Sequence, residues 1–209
     1  MKSKLITTLL IGATILPSLQ GCFPIIAAGV GTGVVTAVNR RTLGTQTEDE
    51  SIEWKAASRV TDELRARGNF NFTSFNRRVL ISGEAASEEV KAEIAQIVSK
   101  IPNVSGIYNE VIIGPPSSLT QRSGDAFITS KVKSRSVDSG RFNPLQVKVV
   151  TEAGIVFLLG IVTQAEADSA IQVARTTSGV KKVVSLFEII SPEQALEFDH
   201  QNSENENAW

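Results

Sequence analysis

Cysteine and histidine are almost absent from this chain of 209 residues, which contains only Cys22 and His200. A single cysteine cannot form a disulfide within the chain, and one cysteine with one histidine leaves almost no material for zinc sites or Cys–His catalysis. The composition therefore argues against an enzyme with such chemistry. We predict no catalytic residue, no metal site and no cofactor.

The chain also lacks a strong excess of charge of either sign. Its formal net charge is -1 at pH 7, which disfavours the broad basic surface of a nucleic-acid-binding protein. Hydrophobic residues make up 42% of the sequence and charged residues 21%, so the chain has enough apolar material for a folded core. We expect a globular protein without a nucleic-acid partner.

The N-terminal apolar run, Leu5–Leu16, is shorter than the roughly 20 residues of an ordinary membrane span. It follows Lys2 and Lys4, an arrangement typical of a cleaved signal peptide, here residues 1–21. The segment ends in Leu19-Gln20-Gly21-Cys22, which resembles the bacterial lipobox. A plain secretory signal that happens to end near a cysteine is the alternative.

A functional lipobox would make Cys22 the lipidation site, and acyl chains such as palmitate would then hold the protein on a membrane. Each buried methylene of an acyl chain contributes about 0.8 kcal/mol, so several chains anchor a protein stably. Phe23, rather than an aspartate, follows Cys22. By resemblance to known lipoprotein sorting, this favours the outer membrane.

Residues 22–50 are predicted to be the acylated cysteine followed by a flexible tether rich in Gly, Ala and Thr. The run Gly29–Gly33 is similar to a phosphate-binding loop, but no strand precedes it and no Gly-Lys-Ser/Thr follows, so no nucleotide site is predicted. A flexible chain of this length spans about 30 Å root-mean-square. It would hold a small domain close to the bilayer.

The remainder of the chain contains an internal duplication. Val79–Gly83 and Val156–Gly160 are apolar strands that end in glycine and begin 77 positions apart. The predicted elements of the first copy are a helix at 52–65, strands at 70–75 and 79–83, a helix around 94–101 and a strand at 107–113. The predicted elements of the second copy follow the same order: a helix at 125–136, strands at 147–151 and 156–160, a helix around 167–174 and a strand at 183–190.

This order predicts an α+β fold of two tandem αββαβ domains. Each is expected to be a two-layer sandwich, with two helices on one face of a three-stranded mixed sheet and a polar opposite face. The predicted boundaries are 51–114 and 123–190 for the domains, 115–122 for the linker and 191–209 for a disordered acidic tail that is dispensable for folding. Asn76-Arg77 and Ala153-Gly154 are the predicted hairpin turns, with Asn76 supplying any positive φ in the first turn.

Several motifs resemble the BON domain. Val156-Phe157-Leu158-Leu159-Gly160 and Gly179-Val180-Lys181-Lys182-Val183 match its strand-and-glycine pattern, whereas Asn103 stands where the family usually has glycine. From the lipobox to about Ile190 the chain resembles the dual BON-domain outer-membrane lipoproteins, a family associated with cell division, outer-membrane stress and lipid binding. The resemblance implies a non-enzymatic lipoprotein on the periplasmic side of the outer membrane. It further implies binding of anionic phospholipid such as phosphatidylglycerol through the second domain, support of membrane integrity, and enrichment at division sites.

The residues themselves point to the opening helix of the second domain. Between Ser123 and Val150 the sequence has basic residues at 131, 133, 135, 141 and 148 and acidic residues only at 125 and 138. At 100° per residue, Ile128 and Val132 define the stripe that faces the core, while Phe127 lies on its flank beside Lys131. The predicted lipid-binding residues are Phe127, Ile128, Lys131, Lys133 and Arg135. The alternative is that Phe127 packs against the first domain or the linker.

Two other classes of function remain open at this stage. The first alternative is an adaptor for an envelope machine, such as β-barrel assembly or peptidoglycan remodelling. The second alternative is a hydrolase, which the shortage of catalytic residue types disfavours. Glu88 and Glu89 lie at a predicted helix start, where negatively charged side chains stabilise a helix by interacting with its dipole. This structural role, and not acid–base catalysis, is predicted for the two carboxylates. Trp54 is a candidate contact between the two domains, and Trp209 is a candidate anchor for a partner protein.

Overall fold

The computed structural model describes the backbone of residues 40–206 and the side chains of residues 40–201. The predicted signal peptide, Cys22, the glycine-rich run and Trp209 lie outside the described residues. Within the described part, the helices are too short or too polar to cross a membrane.

The first domain has the predicted order of elements with three differences. Its elements are α1 (Leu43–Ser58), α2 (Asp62–Arg67), β1 (Gly68–Phe75), β2 (Arg78–Ala85), α3 (Glu88–Ser99), β3 (Gly106–Asn109) and β4 (Ile112–Ile113). Residues 43–50 are helical, so the predicted end of the tether at residue 50 is wrong. The opening helix is divided in two, and the closing strand is interrupted at Val111, whose side chain is buried in the core.

The second domain repeats the plan with a longer first helix. Its elements are α4 (Leu119–Ser139), a 3₁₀ turn (Pro144–Gln146), β5 (Val147–Glu152), β6 (Ile155–Thr163), α5 (Gln164–Arg175) and β7 (Lys182–Ile190). In both domains the hairpin strands are antiparallel, and the closing strand pairs in parallel with the second strand of the hairpin. The fold is therefore α+β with two mixed sheets, as predicted. Because α4 begins at Leu119, the linker is shorter than the predicted 115–122.

One buried aspartate holds each hairpin against its opening helix. Asp49 accepts backbone hydrogen bonds from Asn76 (2.9 Å) and Arg77 (2.7 Å), and Asp125 accepts equivalent bonds from the two turn residues of the second hairpin, 153 (2.9 Å) and 154 (2.8 Å). Arg77 adopts φ 62°, so the prediction that only Asn76 supplies positive φ is incomplete. The Asp49 carboxylate helps to offset the strain of this left-handed backbone.

The prediction of one polar face on each sheet is wrong, because the two sheets pack against each other. Alternate residues of β2 and β6 point towards the helices, and the intervening ones, among them Leu80, Phe157 and Leu159, form a common apolar cluster with Phe75 and Ile161. Both faces of the central strands are therefore buried, which explains why β6 is an almost continuous apolar run.

Polar residues border this interface and include a buried carboxylate. Glu152 accepts hydrogen bonds from Asn71 at 2.9 Å and Ser82 at 3.4 Å, both in the first domain. Burial raises the pKa of Glu152, and the nearby carboxylates Glu84 and Asp125 act in the same direction. The interface consequently favours the protonated form of Glu152.

We expect Glu152→Gln to stabilise the protein at neutral pH and to have little effect in acid. Because the pKa is raised in the folded state, the contribution of Glu152 is fully present below its unfolded pKa and is lost as the pH rises through the folded value. Glutamine mimics the protonated side chain. Thermal unfolding of both proteins between pH 4 and pH 8 measures the difference, and a difference independent of pH would contradict this account.

The C-terminal segment is a helix, not the disordered tail that its composition predicts. α6 (Pro192–Glu206) packs against the second domain with Ala195 at 5% exposure. The buried Arg40 connects it to the start of α5: the guanidinium donates to Glu166 at 2.7 and 3.0 Å and to Asp199 at 3.1 and 3.3 Å. Charge-assisted bonds to a buried guanidinium account for the order of this acidic segment.

We therefore expect deletion of residues 191–209 to destabilise the second domain, contrary to the sequence-based prediction. Loss of the Asp199 bonds and of the Ala195 contact should lower the free energy of unfolding by about 1–3 kcal/mol. Chemical denaturation of the full chain, the truncated chain and Asp199→Asn measures this loss. Superimposable unfolding curves for the full and truncated chains would show that the helix contributes nothing.

Candidate lipid-binding site

The candidate site is built on α4, and strong local signals fix both ends of this helix. Ser118 and Gln121 form a reciprocal capping box at the N-terminus, and Gly140 ends the helix with φ 59°. Asp125, Ile128, Val132 and Ser136 form the buried stripe. The opposite side of the helix is left to solvent.

Phe127 lies on this exposed side with 66% of its surface accessible. The alternative that it packs against the first domain or the linker is therefore wrong. The Lys131 ammonium sits 4.8 Å from the centre of the Phe127 ring, and it donates a hydrogen bond to the carbonyl of Ser178. The aromatic ring and the cation are thus held together as one unit, supported by the loop that precedes β7.

The other predicted residues occupy different environments. Lys133 is exposed and, among residues 40–201, forms no ion pair. Arg135 donates to the carbonyl of Val173 at 3.2 Å and to the hydroxyls of Thr176 (3.0 Å) and Thr177 (2.8 Å). It therefore joins α4 to the C-terminal end of α5, so its first role is to position the helix.

The inclusion of Ile128 among the lipid contacts is corrected by its burial. Ile128 is only 9% exposed and belongs to the core of the second domain. The physical reason is its helical phase with Val132, four residues later, which places both side chains against the sheet.

The structural counterpart of Phe127 in the first domain is Ser51. Asp49 and Asp125 bind equivalent hairpins, and Ile52 and Ile128 are both buried, so the helices align with an offset of 76 residues. Trp54 lies elsewhere on α1, with 75% exposure. The duplication therefore carries an exposed aromatic at this position only in the second domain.

Sequence reasoning missed the part of the site contributed by the loop before β7. Besides the Ser178 carbonyl, this loop brings Gly179, with φ 97°, against Ile128 and close to the Lys131 ammonium. The Gly-Val-Lys-Lys-Val motif was visible in the sequence, but its closeness to α4 depends on the tertiary fold. Among the described residues, no group of three or more His, Cys, Asp or Glu side chains is arranged to hold a metal ion.

Comparison with known proteins agrees with this architecture. The BON domain family model matches residues 49–115 and 124–191. The chain is 38% identical over 184 residues to the outer membrane lipoprotein DolP of Haemophilus influenzae, covering 87% of this chain and 94% of that protein. The chain belongs to the dual BON-domain outer-membrane lipoprotein family.

Two further similarities are more distant. The 21 kDa hemolysin of Actinobacillus pleuropneumoniae is 32% identical over 155 residues, which cover 73% of this chain and 80% of the relative. Among solved structures, the C-terminal domain of CdsD, the structural protein of the type III secretion system of Chlamydia trachomatis, is 19% identical, covers 68% of this chain and 67% of its own, and superposes with a TM-score of 0.27.

Proposed function

We propose that this protein is a non-enzymatic, lipid-anchored protein of the outer membrane that binds anionic phospholipid through α4 of its second domain. The observation that supports this most strongly is the geometry at Phe127. An exposed aromatic ring beneath a lysine ammonium, on a helix that also carries the exposed Lys133, suits a membrane interface. The ring enters the apolar boundary while the cations meet headgroup phosphates.

The energetic contributions are of different kinds. Burial of the Phe127 ring contributes roughly 1.5–3 kcal/mol and depends little on salt. Each cation near an anionic surface adds about 1 kcal/mol, a contribution that salt screens over roughly 10 Å at 0.1 M. We therefore expect the cations to make the protein select anionic membranes, and the Phe127 ring to supply most of the salt-independent affinity.

Arg40 and Phe127 lie near opposite ends of the second domain. Arg40, the first described residue, is held at the end of the second domain where β6 meets α5, donating to the carbonyl of Ile161 at 3.1 Å. Phe127 lies near the opposite end, beside the β5–β6 turn that Asp125 binds.

The wider role follows from the anchor and the lipid site together. We assign the two domains to the periplasmic side of the outer membrane, where they support the integrity of the envelope. A protein that recognises anionic headgroups gathers where such lipids concentrate, so enrichment at the division site is part of the proposal. The relationship to an outer membrane lipoprotein supports the compartment.

A second function, as an adaptor for an envelope machine such as β-barrel assembly or peptidoglycan remodelling, is favoured by a separate observation on α1. Leu43 and Trp54 are 82% and 75% exposed, and their eleven-residue separation places them close to one side of the helix. A partner protein would bury these side chains in the first domain, leaving α4 free.

Co-sedimentation with vesicles tests the lipid proposal. The probe is the unacylated chain from residue 22 onward with Cys22→Ser, mixed with vesicles of phosphatidylcholine alone or with added phosphatidylglycerol. We expect binding only to the vesicles that contain phosphatidylglycerol, and weaker binding as salt rises. Equal binding to both vesicles, or none to either, would reject the lipid proposal and favour the adaptor.

A further inference from the structure

A cationic groove lies between α5 and β7, next to the loop that supports Lys131. Its cavity volume is about 370 Å³, and its lining includes the basic residues Arg175, Lys181 and Lys182 and the apolar residues Val180 and Val183. None of the described residues that line the groove carries a carboxylate. An anion that enters it would meet three cations above an apolar floor.

The cations of the groove have no carboxylate partner in the part of the chain that the structure describes. Among residues 40–201, none of the three forms an ion pair with a carboxylate. The Lys181 ammonium donates to the carbonyl of Ala153 at 3.1 Å, which fixes its position while keeping its charge. Arg175 and Lys182 have no recorded side-chain partner in the described part of the chain.

The acids on the packed elements are engaged elsewhere. Asp168 of α5 accepts from Gln164 at 2.8 Å, and Glu188 of β7 accepts from Asn76 of the first domain at 2.9 Å. Asp125 of α4 is occupied by the turn between β5 and β6. The charged side chains that line the groove itself are all cationic.

The groove is continuous with the surface around Phe127. Lys131, which covers the Phe127 ring, binds the carbonyl of Ser178. A Cβ built on Gly179 would lie 3.5 Å from the Lys131 ammonium. Three residues further along the same loop comes Lys182, which begins β7. Lys131 and the groove are thus two parts of one cationic surface at one end of the second domain.

We propose that this groove binds the phosphate of an anionic phospholipid headgroup, beside the lipid into which Phe127 inserts. This inference rests on the proposed lipid-binding function and adds a headgroup subsite to it. Arg175 offers planar paired donors to phosphate oxygens, and Lys182 adds a mobile ammonium. The apolar side chains of Val180 and Val183 provide a contact for the glycerol backbone that a free phosphate ion would leave unused.

The test uses the double variant Arg175→Glu/Lys182→Glu in the unacylated chain with Cys22→Ser. Lys181 is left intact because its stem packs on Gly154 and its ammonium holds the turn. We expect affinity for phosphatidylglycerol vesicles to fall about tenfold to thirtyfold at low salt, and the salt dependence to become shallower. Thermal unfolding verifies that the variant remains folded.

The matched control is Lys91→Glu/Lys100→Glu, which makes the same change in net charge on α3 and its C-cap in the first domain. It should retain affinity within about twofold, because the charges are distant from the groove. Equal losses of vesicle affinity in the two double variants would overturn the proposal of a headgroup site in the groove, because they would show only a general effect of net charge.

Phe127→Glu separates this inference from the function on which it rests. If Phe127→Glu abolishes binding while Arg175→Glu/Lys182→Glu binds like the parent chain, the groove is rejected and the lipid function stands. If neither variant changes vesicle binding, both proposals fail. Inorganic phosphate at matched ionic strength should displace the chain from the vesicles only weakly, because it lacks the glycerol backbone that Val180 and Val183 contact. Displacement by phosphate as complete as that by soluble glycerophosphoglycerol would identify a free-anion site and overturn the headgroup assignment.

Discussion

Cys22→Ser is expected to remove the protein from the outer membrane completely. Cys22 carries the only thiol in the chain, so the variant has no residue that can receive the lipobox acyl chains. Each lost methylene removes about 0.8 kcal/mol of membrane binding, far more in total than α4 supplies. Fractionation of cells after a high-salt wash, with palmitate labelling, measures the loss.

Phe23→Asp provides the matched variant for this experiment. It leaves the thiol in place and should still incorporate palmitate, but by resemblance to lipoprotein sorting it should stay in the inner membrane. The two variants therefore separate acylation from sorting. Retention of Cys22→Ser in the washed outer membrane would show that another contact anchors the protein.

Phe127→Glu should weaken binding to phosphatidylglycerol vesicles by one to two orders of magnitude. The ring is 66% exposed, so its loss costs little folding energy, while its burial in a membrane is worth roughly 1.5–3 kcal/mol. A carboxylate at the same point adds repulsion from the anionic surface. Co-sedimentation at low and moderate salt, with circular dichroism as a check of folding, measures the effect.

Ser51→Glu is the control for that substitution, because Ser51 is the counterpart of Phe127 in the first domain and receives the same change in charge. It should bind vesicles like the parent chain, and Phe127→Leu should retain most of the affinity. If folded Phe127→Glu binds normally, α4 is not the lipid contact, and the exposed pair Leu43 and Trp54 becomes the leading interaction surface.

The local elements could be predicted from the sequence because their signals are local. Alternating and continuous apolar segments identified the strands, and the 3.6-residue spacing of Ile128 and Val132 correctly oriented α4. The same helical phase placed Phe127 outside the core, where the structure finds it. The order of these elements, repeated in the duplication, together with the strand-and-glycine motifs then leads to the resemblance to BON domains.

The contacts between distant segments could not be predicted in the same way. The run Val156–Gly160 is predicted as a strand, but its apolar character on both faces also implies a cover on the second face, which the first domain provides. Composition made the C-terminal segment look disordered, whereas the pair of Arg40 and Asp199, 159 positions apart, holds it in place. The threonines that engage Arg135 are likewise brought together only by packing.

The central claim is that residue 127 enters the lipid bilayer, and a single tryptophan at that position tests it most directly. The chain would carry Phe127→Trp with Trp54→Phe and Trp209→Phe, and the vesicles would contain phosphatidylglycerol with brominated acyl chains. We predict quenching of the tryptophan fluorescence on binding, and no quenching for Ser51→Trp in the same background. A chain that sediments with these vesicles while the tryptophan at 127 remains unquenched would contradict the account.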